Sequence, residues 1–341
     1  MPDADRIALS GAPGSPYTRK MLALLRYRRI PYRLLPTEGL VLAEMPKPKV
    51  RLLPTFYLAG ADGVLEAVVD STPIIRRLEA EHEGRGVVPS DPALGFVDAL
   101  IEDYADEWLT KAMFHYRWSY SADIAKAGLQ LPLWRNLSVT DDALATQGAM
   151  ISRRQIDRLY VVGSNAVTGP VIEASYARFL RAFEDHLTGG PFILGNRPAA
   201  CDFAVYGQLT QLAHFDPTPM ALTVAAAPRV YAWTSVMEDL SGLEPAEADW
   251  VDLAHPPATL TVLLAEIGRV YPPIMLANAV AVRDDLPIVE AMVDGQVWSQ
   301  PPFPYQTKCV AALRAQHAAL SASARKRVDL VLRGSGCEAL F

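Results

Sequence analysis

The sequence predicts an α/β domain, an all-helical bundle and, at the C-terminus, an appended helix–hairpin–helix segment. Over residues 1–85, short apolar runs of strand length alternate with helical periods in the order βαβ and then ββα. Over residues 92–250 the apolar residues recur only at helical spacing. In 256–341 the pair Asp294-Gly295, which favours a tight hairpin turn, separates two short runs between helical stretches. We therefore expect three domains with these boundaries.

The first domain begins with a strand that leads into a capped helix. Ile7 to Ser10 is an apolar run of strand length, and the loop Gly11-Ala12-Pro13-Gly14 ends it. Ser15 is a suitable N-cap and Pro16 a suitable first helical residue, so a helix is predicted from that point.

Three more strands and a second helix complete the first domain. The predicted elements are strands at Tyr32 to Leu35, Leu53 to Leu58 and Val64 to Val69, and a helix that starts in Asp70-Ser71-Thr72-Pro73. The last two strands form a hairpin because only a four-residue turn separates them.

Helices account for most of the remaining chain. One apolar stripe from Phe96 to Tyr116 predicts a helix of about six turns with one buried face. The stretch from Leu129 to Thr140 has too mixed a pattern to assign. Further helices are predicted at Ala143–Val162, Val171–Leu187, Cys201–Ala213, Arg229–Leu240, Thr259–Val282, Tyr305–Leu320 and Ala322–Leu332, with a hairpin of Ile288–Val293 and Gln296–Ser299.

The composition disfavours several classes of protein. Among 341 residues, 38 acidic side chains exceed 32 basic ones, and without a long basic run a nucleic-acid partner is not expected. Neither a basic leader with an apolar run nor an uninterrupted apolar stretch of membrane-spanning length is found, so a cytoplasmic protein is expected. The three cysteines, Cys201, Cys309 and Cys337, lack paired or metal-type spacing, which predicts neither disulfides nor a metal site.

Ser15 is a candidate catalytic residue. Its hydroxyl and the first free N–H groups of the helix face the same space, which favours an anion such as a thiolate. Lowering a thiol pKa from about 8.5 by two units requires roughly 2.7 kcal/mol. A charge-assisted hydrogen bond and a helix terminus can supply this together. Taken alone, Ser-Pro also fits an ordinary helix cap.

Two later features favour a binding site near Ser15. Pro54 at the head of a strand removes a backbone donor, so an exposed strand edge can pair with an extended peptide. Asp70-Ser71 stands at another helix start, where N–H groups and a hydroxyl can hold a carboxylate. Each feature also occurs in ordinary strands and caps, but their occurrence in this order within a βαβ-ββα frame is unusual.

With these motifs the sequence resembles the glutathione transferase superfamily, particularly its omega- and beta-like classes. The resemblance implies a thioredoxin-like N-terminal domain, glutathione as cosubstrate and no metal. It implies that Ser15 is catalytic, and that glutathione binds to Tyr17, Leu53, Pro54, Thr55, Asp70 and Ser71. In detail, the backbone beside Pro54 would pair with the cysteinyl unit, and Asp70-Ser71 would hold the γ-glutamyl end.

The second domain agrees with the resemblance but departs from it at two points. Phe192 to Pro198 followed by Cys201-Asp202-Phe203 resembles the usual entry to a buried helix, and Pro228 to Met237 resembles the closing helix. Ala199 stands where the family usually has Ser or Thr, so the capping box is incomplete. The resemblance covers roughly Ile7 to Gly242 and leaves the last domain unexplained.

The resemblance implies a homodimeric transferase that activates glutathione for attack on a small hydrophobic electrophile. The expected electrophile pocket is lined by Trp108, His115 and Tyr116, although a packed or solvated His115 is the alternative. A non-catalytic binding or regulatory protein of the same fold remains open. A thiol–disulfide reductase is disfavoured, because Ser15 stands where a cysteine would be needed.

Two groups of side chains are interpreted without a catalytic role. Glu102, Asp103, Asp106 and Glu107 are expected to form a solvated acidic face of the long helix. Trp298, Phe303 and Tyr305 are expected to fill the core, with a lid or a dimer contact as the alternative.

Overall fold

A computed structural model describes residues 6–35 and 40–341 of the chain. In chain order the N-terminal elements are β1 (Ile7–Ser10), α1 (Pro16–Tyr27), β2 (Tyr32–Leu35), α2 (Leu40–Ala43), β3 (Thr55–Ala59), β4 (Leu65–Val68) and α3 (Ser71–Glu81). The strands form one sheet in the order β2-β1-β3-β4, with β1 parallel to β2 and antiparallel to β3. The predicted βαβ and ββα order is confirmed.

The sheet topology brings three chain segments to one edge of the domain. Ser10 at the end of β1 pairs with Thr55 at the start of β3, and Phe56 pairs with Val68 at the end of β4. Ser15 and Asp70, the N-caps of α1 and α3, therefore both follow strands that end at this edge.

The helical part begins with one nearly continuous rod. It consists of α4 (Pro92–Tyr104), a π-helical turn (Ala105–Leu109) and α5 (Thr110–Ser119). The helices that follow are α6 (Ser121–Leu133), α7 (Asp141–Ile156), α8 (Gly169–His186), α9 (Ala200–Leu212), α10 (Pro217–Ala226) and α11 (Pro228–Val236). Sequence patterns missed α10 because it buries only Pro219 and Thr223 and so lacks an apolar stripe.

The C-terminal segment folds against this bundle. Its elements are α12 (Ala258–Arg283), β5 (Val289–Val293), β6 (Gln296–Gln300), α13 (Pro304–Ala319) and α14 (Ala322–Leu332). The predicted hairpin turn is confirmed, since Asp294 and Gly295 have φ angles of 51° and 71°. By length and composition α12 could cross a membrane, but 61% of its apolar window is buried inside the protein. It packs on α8, β5 and α13.

The core continues from the sheet domain into the C-terminal segment. Aromatic rings of the rod pack on rings of the C-terminal segment. The centroids of Trp108 and Trp298 are 5.4 Å apart, and those of Phe96 and Phe341 are 5.1 Å apart. Of the three residues expected to fill the core, Trp298 is fully buried and Phe303 partly so, but the expectation is wrong for Tyr305, which is 40% exposed. The segment after α11 therefore covers the face of the α4–α5 rod that would otherwise expose apolar surface.

The expectation of a solvated acidic face on the rod is wrong. Three of the four carboxylates are fully buried and Asp103 is partly so. Their partners come from distant segments: Lys20 lies 2.8 Å from Glu102 and 2.6 Å from Asp106, the Tyr271 hydroxyl donates to Asp103, and Gln306 Nε2 donates to Glu107 at 3.0 Å. Burial raises the pKa of Asp103 to about 7 and that of Glu107 to about 8.

The incomplete capping box at α9 still contributes one half of its hydrogen bonds. Asp202 accepts from the backbone N–H of Ala199 and from that of Ile193, each at 2.9 Å. Ala199 itself has no side-chain acceptor for the helix, so the reciprocal bond of a full capping box is absent there.

Candidate active site

Ser15 lies at the N-terminus of α1 and makes two hydrogen bonds. Its Oγ accepts from the backbone N–H of Thr18 at 3.2 Å, which confirms the predicted cap. The same hydroxyl donates to the backbone carbonyl of Leu53 at 3.1 Å. Because Ser15 is partly exposed, a ligand that occupies the Leu53 carbonyl would free the hydroxyl for another acceptor.

The segment before β3 supplies the second element of the site. The peptide bond between Leu53 and Pro54 is cis, and the Leu53 side chain is exposed. Over its own length β3 is paired on both sides, by β1 and β4, so it offers no free edge. An extended peptide can therefore pair only with the backbone that precedes Pro54. Thr55, the third residue of this motif, is buried and donates to the carbonyl of Leu52 at 2.7 Å.

Asp70 and Ser71 form the third element. Asp70 has a φ of 83° and its carboxylate makes no capping bond to α3. It accepts instead from the Tyr305 hydroxyl of α13 at 2.7 Å. The Ser71 hydroxyl accepts from Lys20 Nζ at 3.0 Å. Sequence patterns did not indicate Lys20 and assigned Tyr305 to the core, because both contacts depend on how distant helices pack.

The hydroxyl of Tyr17, a residue that the resemblance places at the glutathione site, is engaged by the helical bundle. It donates to the backbone carbonyl of Asp106 at 2.7 Å and so ties α1 to the π-helical turn. Burial raises the pKa of Tyr17 well above its ordinary value, so the phenol stays neutral. The structure does not direct this hydroxyl to Leu53 or Asp70.

The three residues expected to line an electrophile pocket lie in the core. Their exposed fractions are 1% for Trp108, 6% for His115 and 4% for Tyr116. Each is engaged locally: Trp108 Nε1 donates to Ser175 at 3.0 Å, His115 bonds Ser164 at 2.7 Å and Glu173 at 3.0 Å, and Tyr116 stacks on Tyr120. The packed alternative for His115 therefore applies to all three residues.

A cleft of about 470 Å³ borders the loop that carries Ser15. Pro13, two residues before Ser15, and Arg19, one turn after it, both line this cleft. The aromatic part of its wall consists of Trp134, His214 and Phe215. Sequence patterns missed the cleft because Trp134 follows α6 in a stretch that could not be assigned.

The three cysteines are poor nucleophiles. Cys201 and Cys337 are buried and Cys309 is partly buried. Burial raises the pKa of all three thiols, that of Cys337 to about 12. Among the described residues, no group of three or more His, Cys, Asp or Glu side chains could hold a metal ion.

Two family models each match one part of the chain. Residues 9–86 match the glutathione S-transferase N-terminal domain, and residues 149–234 match the glutathione S-transferase C-terminal domain. These two domains belong to the glutathione S-transferase superfamily. The N-terminal match includes Ser15, Leu53-Pro54 and Asp70-Ser71, whereas the rod of α4 and α5, and α12 with the elements after it, lie outside both matches.

Solved glutathione transferases are similar to this chain at low sequence identity. One from Methylobacterium radiotolerans, in complex with glutathione sulfonate, is 20% identical over 72% of this chain and 94% of its own, with a TM-score of 0.40. One from Pseudomonas fluorescens with two glutathione molecules bound is 14% identical over 69% and 89%, with a TM-score of 0.43. A Tau-class enzyme from mango, Mangifera indica, is 16% identical over 71% and 94%, with a TM-score of 0.40. No curated protein matches the chain.

Proposed function

We propose that this protein is a glutathione-dependent transferase that activates the glutathione thiolate for attack on a small hydrophobic electrophile. The observation that carries the proposal is the hydrogen bond from the Ser15 hydroxyl to the Leu53 carbonyl, 3.1 Å long, at the sheet edge that also bears Asp70. A hydroxyl, a backbone acceptor and a carboxylate are thus available to one extended peptide.

Ser15 would act when glutathione displaces its present hydrogen bond. The cysteinyl N–H of the ligand would donate to the Leu53 carbonyl, and the Ser15 hydroxyl would then turn to donate to the sulfur. Thr18 N–H keeps Ser15 Oγ at the helix start, where the helix dipole also favours negative charge. Both effects stabilise the thiolate and lower the thiol pKa, so the proton leaves to water. The sulfur then forms a bond to an electrophilic carbon as that carbon's bond to its leaving group, or the π bond of an activated alkene, breaks.

Asp70 and Ser71 would hold the γ-glutamyl end. The Asp70 carboxylate suits the α-ammonium group, and the Ser71 hydroxyl suits the α-carboxylate. Because Lys20 Nζ already donates to Ser71 Oγ, the hydrogen of that hydroxyl remains free for donation to the ligand.

The cleft beside the Ser15 loop is the site we propose for the electrophile. Trp108, His115 and Tyr116 are packed inside the core. Trp134 and Phe215, in contrast, line an open cleft of about 470 Å³. Volumes of this size are typical of small-molecule sites.

A thermal-shift titration with glutathione, followed by a panel of electrophiles, tests the proposal. A ligand that binds only the folded state must raise the melting temperature in a saturable way. Saturable binding together with conjugation supports the transferase. Saturable binding without turnover on any electrophile would support the non-catalytic binding protein instead.

Replacing Asp70 by alanine is expected to weaken glutathione binding by about 1.5–3 kcal/mol, because a charge-assisted contact is lost. Isothermal titration calorimetry measures the change. Asp62→Ala removes an exposed carboxylate from the turn between β3 and β4 and serves as the control. If the Asp70 variant binds glutathione within about twofold of the unmodified protein, the assignment of the γ-glutamyl end is wrong.

Replacing Ser15 by cysteine is expected to create glutathione-dependent reduction of small mixed disulfides, which the unmodified protein should lack. A cysteine at a helix start has a depressed pKa, whereas the native thiols are buried and protonated. A coupled reductase assay compares this variant with Ser321→Cys, a similar N-cap substitution at α14. Strong reductase activity in the unmodified protein that is lost on mutating Cys201 or Cys309 would contradict the site assignment.

The proposal includes a cytoplasmic location and a homodimer, as the resemblance implies. Light scattering during size-exclusion chromatography gives the mass in solution, and twice the mass of one chain supports the dimer. A measured mass equal to that of one chain would contradict the homodimer. It would not contradict the proposed site, because Ser15, Leu53 and Asp70 come from one chain.

A further inference from the structure

The first turn of α13 connects the sheet domain with the helical bundle. Tyr305 donates from its hydroxyl to Asp70 Oδ2 at 2.7 Å, and the next residue, Gln306, donates from Nε2 to Glu107 Oε2 at 3.0 Å. Gln306 is only 2% exposed. Tyr305 is 40% exposed, so Gln306 fixes this turn from inside the protein while Tyr305 stands at the surface beside Asp70.

A buried amide fixes the backbone just before this turn. Asn278 on α12 accepts from the Phe303 N–H at 2.7 Å and donates to the Phe303 carbonyl at 2.9 Å. Asn278 is fully buried. The position of Tyr305 is thus set two residues upstream, independently of its contact with Asp70.

Asp70, in contrast, has little local support. Its φ of 83° is unusual for a non-glycine residue, and no amide of α3 donates to its carboxylate. In the part of the chain that the structure describes, Tyr305 is the one side chain that donates a hydrogen bond to it. A bond from a fixed donor selects one rotamer of an otherwise unrestrained side chain.

The chemistry of the pair leaves room for a ligand. Burial and the hydrogen bond to Asp70 raise the pKa of Tyr305 above its ordinary value, so the phenol remains a donor. An ionised carboxylate accepts at about four lone-pair sites. With Oδ2 engaged by Tyr305, Oδ1 remains available to a cation.

We propose that Tyr305 is a positioning residue of the glutathione site, which holds Asp70 so that Oδ1 faces the α-ammonium group of the γ-glutamyl unit. This inference rests on the proposed function. It assigns part of the C-terminal segment, which lies outside both family matches, to ligand recognition by the N-terminal domain.

The test is Tyr305→Phe, which removes the hydroxyl and keeps the ring. The Kd for glutathione is expected to rise about tenfold, whereas kcat at saturating glutathione stays within about twofold, because the thiolate is stabilised elsewhere. Glutathione that lacks the α-amino group of its γ-glutamyl unit should bind this variant and the unmodified protein equally. In an Asp70→Ala background, Tyr305→Phe should have no further effect on Kd.

Tyr160→Phe, at a tyrosine that is 55% exposed, is the matched control and should change neither Kd nor kcat. The inference is overturned if Asp70→Ala weakens glutathione binding but Tyr305→Phe does not. It is also overturned if Tyr305→Phe tightens binding, because the Tyr305 hydroxyl would then compete with glutathione for Asp70. Equal losses of affinity for glutathione and for its deaminated analogue would indicate a merely structural role and also overturn it. If the unmodified protein binds no glutathione, the proposed function fails first and this inference with it.

Discussion

Replacing Ser15 by alanine should lower turnover on any accepted electrophile by about ten- to a thousand-fold, because the hydrogen bond that stabilises the thiolate is lost. The pKa of the bound glutathione thiol should rise at the same time, which the thiolate absorbance measures as a function of pH. Affinity for glutathione should change little, since Leu53, Asp70 and Ser71 remain.

The helix cap that Ser15 also provides must be separated from this effect. Ser321 caps α14 in the same way, accepting from the N–H of Ala324 at 3.2 Å. Each alanine variant should cost about 1 kcal/mol of stability through loss of the cap, but only the Ser15 variant should lose turnover. Unchanged turnover in Ser15→Ala would exclude a catalytic role for this hydroxyl.

Replacing Lys20 by methionine is expected to destabilise the protein by about 3–5 kcal/mol, because the buried Asp106 loses its counter-ion and Glu102 keeps only Arg76, at 3.5 Å. Lys20 is fully buried, and Nζ lies 2.8 Å from Glu102 and 2.6 Å from Asp106. Burial by itself would lower the pKa of Lys20, but these two acids outweigh it and raise that pKa. Urea unfolding, read as the shift in midpoint at constant slope, measures the loss.

The effect of Lys20→Met should depend on pH. Burial raises the pKa of Asp106 to about 6 even with Lys20 in place, and loss of the lysine raises it further. The unfolded chain then releases this proton first as pH rises, so the variant loses stability from about pH 4 through pH 6 and above. Its deficit relative to the unmodified protein should widen over that interval.

Lys111 is the matched control for a buried lysine. It is 2% exposed and donates long hydrogen bonds to the carbonyl of Val162 at 3.3 Å and to Gln300 Oε1 at 3.4 Å. Glu107 is the acid whose charge acts on it, and burial outweighs that effect. Burial lowers its pKa to about 8. Lys111→Met therefore removes a poorly compensated charge and should change stability by less than about 1 kcal/mol. Equal losses in the two variants would contradict the role given to the Lys20 ion pairs.

The sequence could predict the frame of the site because that frame is local. Ser15 as a cap follows from a serine and a proline at the end of an apolar run, and the order of strands follows from short apolar runs and turns. The same patterns predicted the hairpin at Asp294-Gly295, where both residues need a positive φ. They failed for α10, whose burial is too slight to leave an apolar stripe.

Side-chain environments on the α4–α5 rod could not be predicted in the same way. The acidic residues of the rod and Trp108 are covered by Lys20, Gln306 and Trp298, which come from other parts of the chain. A charged run on a helix is usually solvated, and these acidic residues are buried only because distant segments pack over them.

By itself the sequence determined the family, the order of elements and the positions of Ser15, Pro54 and Asp70-Ser71, since each depends on backbone preferences of a few neighbouring residues. Only the tertiary structure decided that the Ser15 hydroxyl donates to the Leu53 carbonyl and that the Tyr17 hydroxyl donates to the Asp106 carbonyl. The same is true of the burial of Trp108, His115 and Tyr116, which were expected to line the electrophile pocket. Tyr305 and Asp70 are 235 residues apart in the chain. Their contact requires that α13 packs beside the start of α3. Many contacts between residues distant in the sequence determine that packing, and no local sequence pattern predicts them.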